Sequence, residues 1–128
     1  MLTLTFDDDS RIPKYRQIYN QIKATILSGR LQPGDKLPTQ AEMMDKYGVY
    51  VVTSARAYRE LAQEGLIVGK PARGTFVADQ APKMSDAELH QQLTKHTKSF
   101  LATVAPLGFT MTEIIANVRY NFKREEGK

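Results

Sequence analysis

The stretch "VTSARAYRELAQEGL", Val52 to Leu66, carries small or apolar side chains at Ser54, Ala57, Tyr58 and Leu61. A spacing of i, i+3, i+4 and i+7 gathers these four on one face of an α-helix, the stripe that packs against a core. Arg56 and Arg59 fall off the stripe, together with Ala55, Glu60 and Gln63, and Gly65 is placed to end the helix. A charged outer face is by default a solvated one. Whether this one does more depends on the elements on either side.

Upstream, Thr39 and Glu42 in "TQAE" have the spacing of a capping box, in which the threonine hydroxyl and the glutamate carboxylate each satisfy a free backbone N–H. They predict a short helix with Met43, Met44 and Tyr47 inward, ending at Gly48. Two helices joined by a tight turn containing glycine form the helix-turn-helix corner, whose second helix can enter a DNA major groove. Before it, Tyr15, Ile18, Tyr19, Ile22 and Ile26 mark one face of a longer helix opened by Pro13 and closed by Gly29. "LQPGDKLP" is then a turn-rich connector. Leu2, Leu4 and Phe6 alternate with threonines and predict a short N-terminal strand.

Downstream, Leu66-Ile67-Val68 and Thr75-Phe76-Val77 are two β-rich runs separated by six residues, a hairpin with Lys70 and Arg73 at its tip. The order of helix, helix, turn, helix and hairpin is that of a winged helix-turn-helix, an α+β fold with the hairpin as the wing. Beyond Asp79, "QAPKMS" reads as a linker. Residues 1–79 are therefore expected to form the winged domain and residues 80–128 a helical tail. Ser85 with Glu88, and Thr110 with Glu113, open two amphipathic helices separated by a break at Pro106 and Gly108. Their apolar stripes hold Leu89, Leu93, Phe100 and Leu101, then Ile114, Ile115, Val118 and Phe122, with Met111 at the start of the second. Two helices of this length bury little by themselves, so these eight residues need a partner surface, either the N-terminal domain or a second copy of the chain, and the second copy is the one expected.

Composition narrows the function classes. The 128 residues contain no cysteine, which removes disulfides, thiolate metal sites and cysteine nucleophiles. The net charge is +4. Between Lys46 and Phe76 five basic residues face only Glu60 and Glu64, a local excess where a phosphate-binding footprint would lie. The start "MLTLTFDDDS" is no signal peptide and no apolar run reaches membrane-spanning length. A cytoplasmic protein with no membrane partner is expected. Asp7-Asp8-Asp9 has no histidine partner at ligand spacing and is expected to be a solvated turn, and His90 and His96 are too far apart in sequence to share a helix face as a ligand pair. No nucleophile triad, phosphate loop or carboxylate pair emerges. The chain is expected to be no enzyme and to need no cofactor or metal.

From about Ile12 to Ala78 the sequence resembles the DNA-binding domain of GntR-family bacterial transcription regulators. The most specific parts are "GRLQPGDKLPT" (Gly29 to Thr39), "ARAYREL" followed by "EGLI", and "RGTFV" at the wing. The "RAY" element and a short two-helix tail with "GFTMTEII" are similar to the YtrA subfamily. The resemblance implies a homodimer on double-stranded DNA, with a palindromic operator and repression as the expected outcome. It also implies a tail that dimerises in place of a larger effector-binding domain, and it leaves a small-molecule effector without an identity. Thr53, Arg56, Lys70, Arg73 and Gly74 match the family at its DNA-contacting positions, and Thr39, Gln40, Tyr50, Val51, Val52 and Arg59 complete the expected DNA-contacting set. The sequence departs from the family at Ala41 and Ala55, where basic residues are usual, and at Tyr50, where a small capping residue is usual. An aromatic residue and a valine at the helix start suit apolar contact with thymine methyls better than bidentate contact with guanine. Those departures motivate an alternative, a winged-helix interaction module with lost or altered operator binding.

Overall fold

The computed structural model describes residues 2–126. The chain divides between Ser85 and Asp86 into two compact units.

The first unit is built on three helices and a hairpin. Helix α1 (Lys14–Leu27) follows Pro13, whose carbonyl accepts from the Arg16 and Gln17 N–H groups and so starts the first turn. Its buried residues are Ile18, Tyr19, Ile22 and Ile26, four of the five expected; Tyr15 is only half-buried. Helix α2 (Gln40–Tyr47) opens with the full capping box: the Glu42 N–H donates to the Thr39 hydroxyl at 3.0 Å, and the Thr39 N–H to the Glu42 carboxylate at 2.9 Å. Hydrogen bonding from the Thr39 backbone N–H, and then from the Thr39 side chain, holds the Glu42 carboxyl below its usual range. Of its expected inward residues, Met43 is buried and Tyr47 packs at the core's edge, but Met44 faces solvent. One turn after the cap, an eight-residue helix has a face too narrow for both methionines.

Gly48, Val49 and Tyr50 make the corner. Gly48 takes a left-handed φ of 67°, which a side chain would strain, and Val49 drops fully into the core. Helix α3 (Val51–Gln63) follows at once and buries Ser54, Ala57, Tyr58 and Leu61, the stripe expected from its spacing. The Tyr58 hydroxyl donates to the Pro38 carbonyl at 2.6 Å, tying α3 to the connector ahead of α2. Burial raises that phenol's pKa well above its ordinary value. Gly65, at φ 78°, ends the helix, and the Leu66 N–H folds back to the Leu61 carbonyl.

Strands β1 (Ile67–Lys70) and β2 (Gly74–Val77) pair antiparallel, Ile67 opposite Val77 and Lys70 opposite Gly74. The wing is therefore longer and its loop shorter than the β-rich runs alone suggest. Pairing extends through Gly69 and Lys70, and only residues 71–73 turn. The Arg73 N–H closes that turn on the Lys70 carbonyl, with Ala72 at a φ of 64° after Pro71. The connector covers the outer edge of β2: Leu37 N–H donates to the Thr75 carbonyl and Val77 N–H to the Asp35 carbonyl, both at 2.8 Å.

The N-terminal segment departs from expectation. Leu2 and Leu4 are buried as the alternation predicts, but they belong to no strand. Their backbone is held by side chains. Gln21 exchanges two hydrogen bonds with the Thr5 N–H and carbonyl, Gln17 does the same at Asp7, and the Leu4 N–H donates to the Tyr47 hydroxyl. A glutamine amide offers the same donor and acceptor as a peptide, so two of them on α1 replace a neighbouring strand. The aspartates that follow form a tight turn, with the Asp9 N–H on the Asp7 carboxylate. Residues 80–85, expected as linker, pack on this unit: Ala81 touches the core and the Met84 N–H donates to the Leu27 carbonyl.

The second unit is helix α4 (Asp86–Val104), a 3-10 turn over Ala105–Leu107 and helix α5 (Met111–Glu126). Gly108, at φ 83°, provides the break, and Thr110 with Glu113 forms the expected cap. No described side chain of this unit is buried. Among the described residues no helix is long and apolar enough to cross a membrane.

Candidate nucleic-acid interface

An element that inserts into a groove must be rigid behind and exposed in front. Helix α3 is rigid because it is the central element of the first unit, packed on α1, α2 and β1. A polar seam on its α1 side adds to this. Arg16 pairs with Glu60 at 3.4 Å, Lys23 with Glu64 at 3.0 Å, and the Tyr19 hydroxyl donates to the same Glu64 carboxylate. Tyr19 and Lys23 together hold the Glu64 carboxyl below its usual range. Each pair is partly solvated and worth little alone, but all of them fix the same helix against the same neighbour.

The front of α3 is open. Tyr50 occupies the N-cap position in extended backbone and supplies no side-chain cap bond, as expected for that residue type. Tyr50, Val51 and Val52 all face solvent, Thr53 and Ala55 are half-buried, and Arg56 and Arg59 are exposed. The Arg56 guanidinium lies 3.8 Å from the centre of the Tyr15 ring, stacked on an aromatic face that α1 provides. Stacking leaves its N–H donors at the edge of the guanidinium plane, where a base or phosphate can meet them. Sequence periodicity does not reveal this contact, because Tyr15 reads as a member of the apolar stripe of α1, where it packs at the core's edge, and Arg56 lies off the stripe of α3.

The remaining expected contact residues fall into two places. Thr39 and Gln40 begin α2, where the Thr39 hydroxyl is already engaged in the cap. Lys70, Arg73 and Gly74 sit at the wing tip, with both cations exposed and Lys70 Nζ 5.1 Å from the Phe76 ring centre. Lys36 joins them, a residue absent from the set inferred from sequence. It bridges to Phe76 through its backbone, and its stem crosses Gly74 so closely that an added Cβ would lie 2.9 Å from Lys36 Cε. Gly74 also has a φ of 124°. Within "PGDK" the lysine looks like any turn residue, so only the pairing to β2 reveals it.

In the second unit, Leu93, Phe100, Ile115, Val118 and Phe122 are exposed and Leu89, Leu101 and Ile114 half-buried. A cleft of about 640 Å³ opens between Phe100, Leu101, Ile114, Ile115 and Val118. Five of the eight apolar side chains expected to pair thus line this cleft.

Comparison with known proteins gives this arrangement relatives. The sequence profile described as bacterial regulatory proteins, gntR family, matches residues 14–77. The chain is 32% identical to the uncharacterised HTH-type transcriptional regulator YhcF of Bacillus subtilis, over 84% of this chain and 88% of that protein. It is 37% identical to the HTH-type transcriptional repressor YtrA of the same organism, over 61% of this chain and 60% of that protein. Other curated relatives are much longer, and the chain spans only 16% and 37% of the length of two of them. Among solved structures, the DNA-binding domain of AraR in complex with operator ORX1 superposes with a TM-score of 0.53 at 34% identity, over 60% of this chain and 96% of that one.

Proposed function

We propose that this chain, which belongs to the GntR family of bacterial regulatory proteins and is YtrA-like within it, regulates transcription by binding double-stranded DNA as a homodimer. Repression from a palindromic operator is the specific form of that reading. In it, the first turns of α3 enter the major groove with Arg56 and Arg59 behind them, and Lys70 and Arg73 on the wing meet the phosphate backbone. The tail residues from Leu89 to Phe122 join two copies.

One observation carries this reading. Tyr50, Val51, Val52, Arg56 and Arg59 are exposed on the outer face of α3, in a winged helix-turn-helix whose fold matches that of the AraR domain bound to operator. The exposed wing cations support it, since phosphate contacts supply most of the affinity of such proteins. The absence of any buried side chain among the described residues of the second unit supports the dimer, because apolar faces of this extent usually mark an interface.

An electrophoretic mobility assay with the full chain, run across a salt series, tests it. Binding should differ between duplex sequences, and log affinity should fall linearly with log salt. A chain retained by no duplex at any salt would instead be the interaction module that Ala41, Tyr50 and Ala55 suggest.

A further inference from the structure

Tyr50, Val51 and Val52 are the three most exposed large apolar side chains described in the first unit, at 70%, 51% and 77%. They are consecutive and occupy the leading end of α3. Single exposed apolar residues are ordinary, but a contiguous group at the tip of a helix calls for an occupant. Ala55, half-buried like Thr53, lies one turn beyond Val51 and adds no polar group to the tip. The first charged side chain of α3 is Arg56. A tip of this kind has no side chain able to form the paired hydrogen bonds that read guanine or adenine edges. The one feature of the major groove that rewards apolar contact is the C5-methyl group of thymine. Charge selects DNA over an apolar protein surface as the occupant, because Arg56 and Arg59 are exposed immediately behind the tip.

We infer that the operator half-site presents thymine methyl groups to Val51 and Val52, so that sequence is read at those positions by methyl burial rather than by hydrogen bonds. This rests on the DNA-binding reading above and specifies the DNA it prefers. Burying one methyl in a fitted apolar contact corresponds to about a fourfold gain in affinity.

The test uses the full chain and a duplex enriched from a random pool. Each thymine of the half-site is replaced in turn by deoxyuridine, which removes the methyl and keeps every hydrogen-bonding group. Affinity should fall about fourfold at two or more positions per half-site, with the salt slope unchanged because no phosphate contact is touched. Val52→Ala should abolish the effect of deoxyuridine at one of those positions while leaving the others. Val52 is exposed and alanine is the better helix former, so this variant retains the fold. If every deoxyuridine duplex binds within about twofold of the parent while sequence preference persists, the thymine inference fails and DNA binding stands. If no duplex is enriched, the functional reading itself fails and the inference with it.

Discussion

Arg56 and Arg59 are one turn apart on α3 and both exposed, yet their settings differ. Arg56 is nearer the helix start and its guanidinium is already stacked on Tyr15, so less side-chain freedom remains to be lost when it meets DNA. It should therefore carry more of the specific binding energy. Arg56→Ala is expected to cost roughly 1–3 kcal/mol on a preferred duplex, and Arg59→Ala less. The stack itself gives a second arm: Tyr15→Ala should weaken binding by about 0.5–1 kcal/mol, and Tyr15→Phe, which keeps the ring, should restore it. Fluorescence anisotropy on the four variants decides the matter. A larger loss from Arg59→Ala in a folded protein would reverse the assignment, and a loss in Tyr15→Phe equal to that in Tyr15→Ala would remove the stack from it. This contact is the part of the candidate site least legible in the sequence. Tyr15 reads there only as one member of an apolar helical stripe.

Elements were more legible than contacts, where local chemistry alone decides them. The Thr39 and Glu42 cap, the buried stripe of α3 and the terminating Gly65 all follow from spacing within a few residues. The N-terminal strand does not, because alternation reports which side chains are buried and says nothing about what satisfies the backbone. Here Gln17 and Gln21 do so, and no pattern within residues 2–6 could announce them. The wing makes its own prediction. Lys70→Ala or Arg73→Ala should lower affinity on all duplexes alike and reduce the salt slope by about one unit; a changed sequence preference at constant slope would mean a base contact instead. The seam between α1 and α3 makes another. The Glu64 and Glu42 carboxyls both titrate below the usual range in the folded protein. A folded pKa below the unfolded one gives stability that is complete above the unfolded value and is lost as pH falls through the folded value. Thermal midpoints should thus hold steady from neutral pH down to about 5 and then decline, with a shallower acid decline in Glu64→Gln. A midpoint that rises on acidification in that range would contradict the seam's sign.

The whole molecule joins a unit with a core to one without. Ile18, Ile22, Leu37, Met43, Val49, Leu61 and Val77 are almost completely buried in the first, whereas no described side chain of the second is buried. That contrast was foreseeable from the tail's length and its apolar stripes, but the exact end of the folded part was not. Ala81 and Met84 belong to the first unit through one apolar contact and one backbone hydrogen bond, signals too slight to separate from linker composition. A chain ending at Ser85 should therefore fold and remain monomeric at micromolar concentration in sedimentation equilibrium, and Phe100→Asp in the full chain should do the same. A truncated chain that still dimerises would assign the tail another task. With two copies joined, two α3 helices would meet one duplex at half-sites about 34 Å apart or a multiple of it. The most direct measurement is enrichment of the full chain's preferred DNA from a random duplex pool, followed by sequencing. The account predicts one motif with two-fold symmetry and half-site centres one or more helical turns apart. A pool that enriches no motif at any salt would contradict it.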